Sequence, residues 1–257
     1  MRFEGNALDI DIHGGSSPLI SNNVLEGGDE SGHGINARGQ PVTIYNNTIS
    51  NCGTGIIGSQ VTVERNIIKN NHVGVDTFFS NPLISGNVIQ NNEKGISGGG
   101  IIRNNSIANN VIAIENSVAS PEIKYNNIVG SSDKSVYMIK NWGIDATYNW
   151  WGTTDVNAIE QSIHDVEDDF AVGKVTFEPF LTEPNPAIEP VQAGTPSPTS
   201  TPTPTPSTQE TQLTLTCSSS TSSNLQVEIS GRLSANGVGV ANAPITLSYS
   251  LDNGQHG

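Results

Sequence analysis

The chain has 257 residues, a formal net charge of −14, two cysteines and two methionines. That charge excludes nucleic acid and anionic lipid as natural partners, and no run is long and apolar enough to cross a membrane. The charge is also uneven: residues 1–152 carry −4, residues 153–189 carry −8 and the remainder carries −2. The length suits two domains and a tail, with enough chain in the first for a sizeable core.

Between residues 18 and 151 one short phrase recurs. It places an aliphatic residue three positions before an asparagine and another two positions after it. The asparagines are Asn23, Asn47, Asn66, Asn87, Asn105, Asn126 and Asn149, separated by 24, 19, 21, 18, 21 and 23 residues. Ile20, Ile44, Val63, Ile84, Ile102, Ile123 and Ala146 precede them, and Leu25, Ile49, Ile68, Ile89, Ile107, Ile128 and Trp151 follow. In the four central units a small residue (Gly55, Gly74, Gly95, Ala113) and then an aliphatic (Ile56, Val75, Ile96, Ile114) stand eight and nine positions after the asparagine.

A unit this short cannot bury its own apolar face and must stack on its neighbours. Three apolar points per unit, separated by Asn, Gly and Ser, predict three short strands per turn. The fold class is all-β: a right-handed parallel β-helix of about seven three-strand coils. No unit has the several leucines of a leucine-rich repeat. Two physical reasons call for the asparagines. Asn tolerates the left-handed φ of a tight bend, and stacked amides donate to one neighbour while accepting from the other. A second column, Asn51, Asn70, Asn91 and Asn109, follows four positions later. Cys52 falls in a turn column with Asn71, Asn92 and Asn110, and a disulfide to the distant Cys217 is disfavoured on geometric grounds.

After the last coil, Trp150 and Trp151 are large enough to cover the open end of an apolar prism. Residues 155–166 space Val156, Ile159, Ile163 and Val166 as a helix that Asp155 or a preceding threonine can cap. Residues 174–181 then read as a closing strand, so residues 153–182 form a C-terminal cap. Residues 183–211 are a linker whose Thr-Pro core, residues 195–207, extends to about 40 Å as polyproline II; such stalks are typical of secreted proteins. Alternation at 213–217, 225–231 and 244–251 predicts strands. Both termini fall within coil-like or strand-like sequence, which is expected of a piece of a longer multidomain surface protein.

The segment PLISGNVIQNNEKGI (residues 82–96) resembles the parallel β-helix repeats of the pectate-lyase-like superfamily. Its nearest likeness is to the group found in carbohydrate-binding and sugar-processing surface proteins and in periplasmic copper-maturation proteins. The resemblance covers residues 1–152 and implies the fold; the superfamily's activities span lyases, hydrolases, epimerases, tailspikes and adhesins. NWWG (149–152), with the Gly-Lys-Val and Pro-Phe-Leu phrases that follow, resembles a segment closing β-helices in archaeal and bacterial surface proteins. Residues 231–250 resemble the front half of a bacterial immunoglobulin-like module, so residues 212–257 are expected to be a partial β-sandwich with about three of the seven strands such a fold needs.

Candidate chemistry is sparse. Ser31-Gly32-His33-Gly34 resembles the Gly-His-Gly motif of polygalacturonases, with Asp29 and Glu30 nearby for carboxylate-paired hydrolysis. The family's Asn-Thr-Asp motif is missing, however, and Glu122-Ile123-Lys124 has an acid where its arginine belongs. A lyase needs acids for Ca²⁺ and a basic residue to take a proton; Arg65 and Arg103, with Lys69, Glu64, Asp76 and Glu93, are the candidates. His13 and His33, 20 residues apart, could stack as a metal pair, but copper transfer wants more soft ligands than this chain holds. No cofactor is expected beyond Ca²⁺, and the run Asp165, Glu167, Asp168, Asp169 lacks the alternating spacing of a calcium loop.

Tyr45 and Tyr125 are the candidate glycan contacts. The pattern favours a secreted or cell-surface protein that binds polysaccharide or surface glycan without cleaving it. The alternatives are a polysaccharide lyase or glycoside hydrolase, and a structural surface-layer spacer with no ligand.

Overall fold

In the computed structural model the chain forms two compact units, residues 1–193 and 194–257. The structure describes residues 2–5, 10–12, 17–28, 32–38, 41–77, 82–118, 121–188, 211–217, 229–235 and 238–239. The first unit is a right-handed parallel β-solenoid of about six full turns with three sheets. One turn runs through Val42–Tyr45 in the third sheet, Thr48–Ser50 in the first and Thr54–Gly58 in the second, and the next turn returns to the third with Val61–Glu64. Every strand pair in these three sheets is parallel, so equivalent residues of successive coils line up in columns.

The three apolar points of the repeat are the three inward columns. Leu25, Ile49, Ile68, Ile89, Ile107 and Ile128 fill the first sheet's column, and Ile44, Val63, Ile84, Ile102 and Ile123 the third's. Ile35, Ile56, Val75, Ile96, Ile114 and Val136 fill the second. All are fully buried, each worth about 1.5–3 kcal/mol of burial. The column of small residues has a steric cause. A Cβ on Gly74 would stand 2.5 Å from the Gly95 carbonyl oxygen, and one on Gly55 2.6 Å from that of Gly74. The coils approach too closely there for a larger side chain; Ala113 and Ser135 occupy the column only at its C-terminal end.

The asparagines separate into two kinds, and of the two reasons expected for the repeat asparagines only the side-chain ladder applies to them. The repeat asparagines do not carry the left-handed backbone; the residue before each does, at Asn22, Asn46, Arg65, Gly86, Asn104, Tyr125 and Tyr148, with φ between 53° and 66°. The repeat asparagines form the predicted side-chain ladder. Asn66 Nδ2 donates to Asn87 Oδ1 (3.0 Å), to the Ile44 carbonyl (2.9 Å) and to the Glu64 carbonyl (3.0 Å). Asn66 Oδ1 accepts from the Asn47 N–H (2.8 Å) and from Asn47 Nδ2 (3.0 Å). The same pattern runs from Asn23 to Asn149. A shorter ladder crosses the next corner, from the Cys52 N–H through Asn71 and Asn92 to Asn110. Its preceding column, Asn51, Asn70, Asn91 and Asn109, does adopt positive φ, from 56° to 59°.

The cap completes a last, partial coil from unlike parts, which is why the turns number fewer than the seven asparagines. Ile144–Asp145 and Val175–Thr176 extend the third sheet and Ile163–His164 the second. Trp150 makes only a bridge to Asn127 where a first-sheet strand would run. Trp151 is buried against the edge of Phe177, with ring centroids 6.4 Å apart. The helix is shorter than its apolar spacing predicts. It spans Val156–Gln161, capped by Asp155, whose carboxylate accepts from the N–H groups of Asn157 and Ala158. Ile163 is in a strand because the second sheet's open edge takes up its backbone, and Val156 is exposed. The closing strand is likewise only Val175–Thr176.

The second unit contains an antiparallel sheet of Thr211–Cys217, Ile229–Ala235 and Val238–Gly239. The second strand lies four residues later than the alternation suggested, and the strand expected at 244–251 lies outside the described residues.

The ladder yields the first prediction. Asn87→Ala leaves the Val63 carbonyl and the Asn66 N–H without their partner in a buried corner. At about 1–3 kcal/mol for each such group, it should destabilise the solenoid by about 3 kcal/mol. Asn23→Ala, at the half-exposed start of the row, should cost about 1 kcal/mol. Urea unfolding of both variants measures the difference; equal costs would contradict the ladder's role.

Candidate functional site

Parallel stacking places one outward residue of each coil above the next, so chemistry on this fold comes in rows. On the second sheet one row reads Asp11, Asn36, Ile57, Asp76, Ser97, Glu115, Tyr137 and His164. A parallel row reads His33, Thr54, Val73, Lys94, Ile112 and Lys134. Lys94 joins the two. Its Nζ lies 2.8 Å from Glu115 Oε2 and donates to Oε1 at 2.9 Å. Ser97 Oγ donates to the same oxygen at 3.4 Å. Further along, the Tyr137 and His164 rings stack with centroids 4.3 Å apart.

Asp76 stands two strands from Glu115 in this row. Burial pushes its carboxyl above the usual carboxylate value, opposed by the Arg38 guanidinium and reinforced by the Glu115 charge, with Lys94 and His33 acting more weakly in opposition. His33, Arg38, Asp76, Lys94 and Glu115 therefore share one electrostatic neighbourhood.

The face continues around the corner toward the first sheet into an open groove of about 490 Å³. Asn51, Asn70 and Asn91 line it, one from each of three successive coils, together with His72 and Glu93. His72 Nδ1 is 2.8 Å from Glu93 Oε2, an ion pair or neutral hydrogen bond between adjacent coils. Cys52 borders the groove but is buried, its Sγ 3.3 Å from the Ser50 carbonyl.

The remaining candidates are dispersed. Arg65 sits at the corner between the third and first sheets, and Arg103 ends a third-sheet strand two coils on. Lys69 belongs to the first sheet, and Asp76 and Glu93 lie on or beside the second. The lyase constellation is thus divided among three faces, because the sequence spacing that made these residues neighbours ignored which side of the prism each occupies. Tyr45 is on the third sheet, and Tyr125, stacked on Tyr148 at 5.6 Å, is at a corner four coils further on. They do not share a site. His13, Asp29 and Glu30 lie outside the described residues, so Gly32-His33-Gly34 is placed but the acids expected beside it are not. Among the described residues no group of three or more His, Cys, Asp or Glu is arranged to hold a metal. The acidic run of the cap has structural partners instead. Asp165 accepts from the N–H groups of Glu167 and Val175 and lies 3.5 Å from Lys174, around a cavity of only about 130 Å³.

Lys94, Ser97 and Glu115 were not singled out from the sequence; Tyr137 was noted only as one of several available aromatics. The available signal was position: Asp76, Ser97, Glu115 and Tyr137 each follow an inward aliphatic of the second sheet, Val75, Ile96, Ile114 or Val136.

A family model described as a right handed beta helix region matches residues 10–150, more than half of the chain. The chain belongs to this family. No curated protein and no solved structure gives a significant match.

The Asp76 environment sets a pH dependence. A carboxyl that binds its proton more tightly folded than unfolded makes stability fall as pH rises from its ordinary value of 3.8 through the raised one. Asp76→Asn removes that loss. Its stability relative to wild type should improve as pH rises through this window and level off above it, as read by urea melts from about pH 3 to about pH 8. A pH-independent difference would mean that the carboxyl is not desolvated.

Proposed function

We propose that this is a secreted or cell-surface protein that binds a glycan chain in the corner groove and along the adjoining polar row of the second sheet, without cleaving it. The observation that carries this reading is the open, polar groove of about 490 Å³, lined by an asparagine from each of three successive coils. Its amides repeat from coil to coil, as the hydroxyls of a polysaccharide repeat from residue to residue. The Thr-Pro stalk supports a surface location, where such a solenoid would be held out toward a glycan.

A second reading is favoured by one observation. Asp76 holds its proton more tightly than usual, Glu115 is ion-paired with Lys94, and their strands are two steps apart. Two steps separate the two backbones by about 9.5 Å, and the carboxyls of an inverting acid and base stand roughly 6.5–9.5 Å apart. Hydrolysis would appear as new reducing ends that Glu115→Gln abolishes.

Under the binding reading, the double variant His72→Ala/Glu93→Ala should weaken retention on its glycan about tenfold, a loss of about 1.4 kcal/mol, with no new reducing ends from the wild type. Affinity electrophoresis in polysaccharide gels measures it. Tyr45→Ala and Tyr125→Ala, run beside it, test the two tyrosines: unchanged retention removes them from the site.

A further inference from the structure

Resting on the glycan-binding reading, the geometry points to an uncharged polysaccharide as the groove's ligand, and not a uronate polymer. The charges that border the groove and its row are already paired within the chain. Glu93 is held by His72, and Glu115 by Lys94, each at 2.8 Å. Lys134, the next cation of the row, is spent on the carbonyls of Gln161 (2.8 Å) and Ile163 (3.0 Å). Burial favours the neutral carboxyl at Asp76.

Beside the His72–Glu93 pair, amides make up the polar surface that meets the ligand. Asn51, Asn70 and Asn91 are all exposed, each on its own coil and held at a positive φ that fixes the corner. A side-chain amide offers both donors and an acceptor, which suits a sugar hydroxyl that does the same. A carboxylated polymer would instead bring unpaired negative charge beside Glu93, in a chain of net charge −14. Repulsion and desolvation both oppose that.

The test uses the full chain in affinity gels. One set contains the neutral polymers galactomannan, xyloglucan and β-glucan, and the other contains polygalacturonate and alginate. Each is run at about 10 mM and about 200 mM NaCl, where screening of charge differs strongly, with CaCl₂ or with EDTA. Retention by at least one neutral polymer, unchanged by salt and EDTA, is expected. Asn51→Gly/Asn91→Gly, which deletes two amides while keeping residues that accept positive φ, should reduce it about tenfold with an unchanged melting temperature. Equal or tighter retention by polygalacturonate or alginate, with or without Ca²⁺, overturns the inference and leaves glycan binding standing. Retention by none of the polymers overturns both. A double variant that binds as well as wild type, with its fold intact, overturns the role of the groove amides.

Discussion

The solenoid depends on hydrogen bonds at its corners. Coils packed at strand spacing bury the backbone groups that a bend exposes, and water cannot reach them there. An asparagine side chain answers this at each level because it is short and carries a donor and an acceptor on one planar group. Each ladder amide in the middle of the row satisfies its own turn, the carbonyl of the coil before and the amide of the coil after. Aspartate would supply no donor, and glutamine would overreach. Apolar burial drives the coils together, but it is non-directional and does not choose a register. The amide row adds a directional constraint at each corner, and at Gly74 the coils come too close for a Cβ.

Once register is fixed, the outside of the prism is free to vary. Inward columns are filled by aliphatics and the ladder row by asparagine, whereas the second sheet's outward rows mix Ile57, Asp76, Ser97, Glu115 and Tyr137. The scaffold thereby brings together residues about 20 apart in sequence and sets their separation in multiples of the strand spacing. Lys94 reaches Glu115, and His72 reaches Glu93, for that reason alone. The cap serves the same economy. Its carboxylates are used on backbone N–H groups and on Lys174, closing an end that would otherwise present open sheet edges.

Much of this was legible in the sequence. The three inward columns, the amide ladder from Asn23 to Asn149, the cap and its helix N-cap at Asp155 all follow from spacing and side-chain chemistry. What was not legible depends on direction. A repeat shows that a residue recurs, not which of two adjacent positions bends the backbone, so the left-handed φ was given to Asn47 and belongs to Asn46. Helical spacing of Ile159 and Ile163 did not reveal that an open sheet edge would claim the second of them. The site was harder still, because outward rows carry no periodic signal: Lys94 and Glu115 resemble ordinary surface charge until the register sets them side by side. Arg65 and Arg103 show the converse, residues close in the pattern that do not line the corner groove.

The claim on which the account rests is that the buried amide ladder holds successive coils in register. Side-chain amide hydrogen exchange, followed by NMR on the solenoid, tests it most directly. The Nδ2 protons of Asn66, Asn87 and Asn105 should exchange as slowly as the strand N–H groups around them, and those of exposed Asn51 and Asn91 at near-solvent rates. Ladder amides that exchange as fast as Asn51 and Asn91 would contradict it.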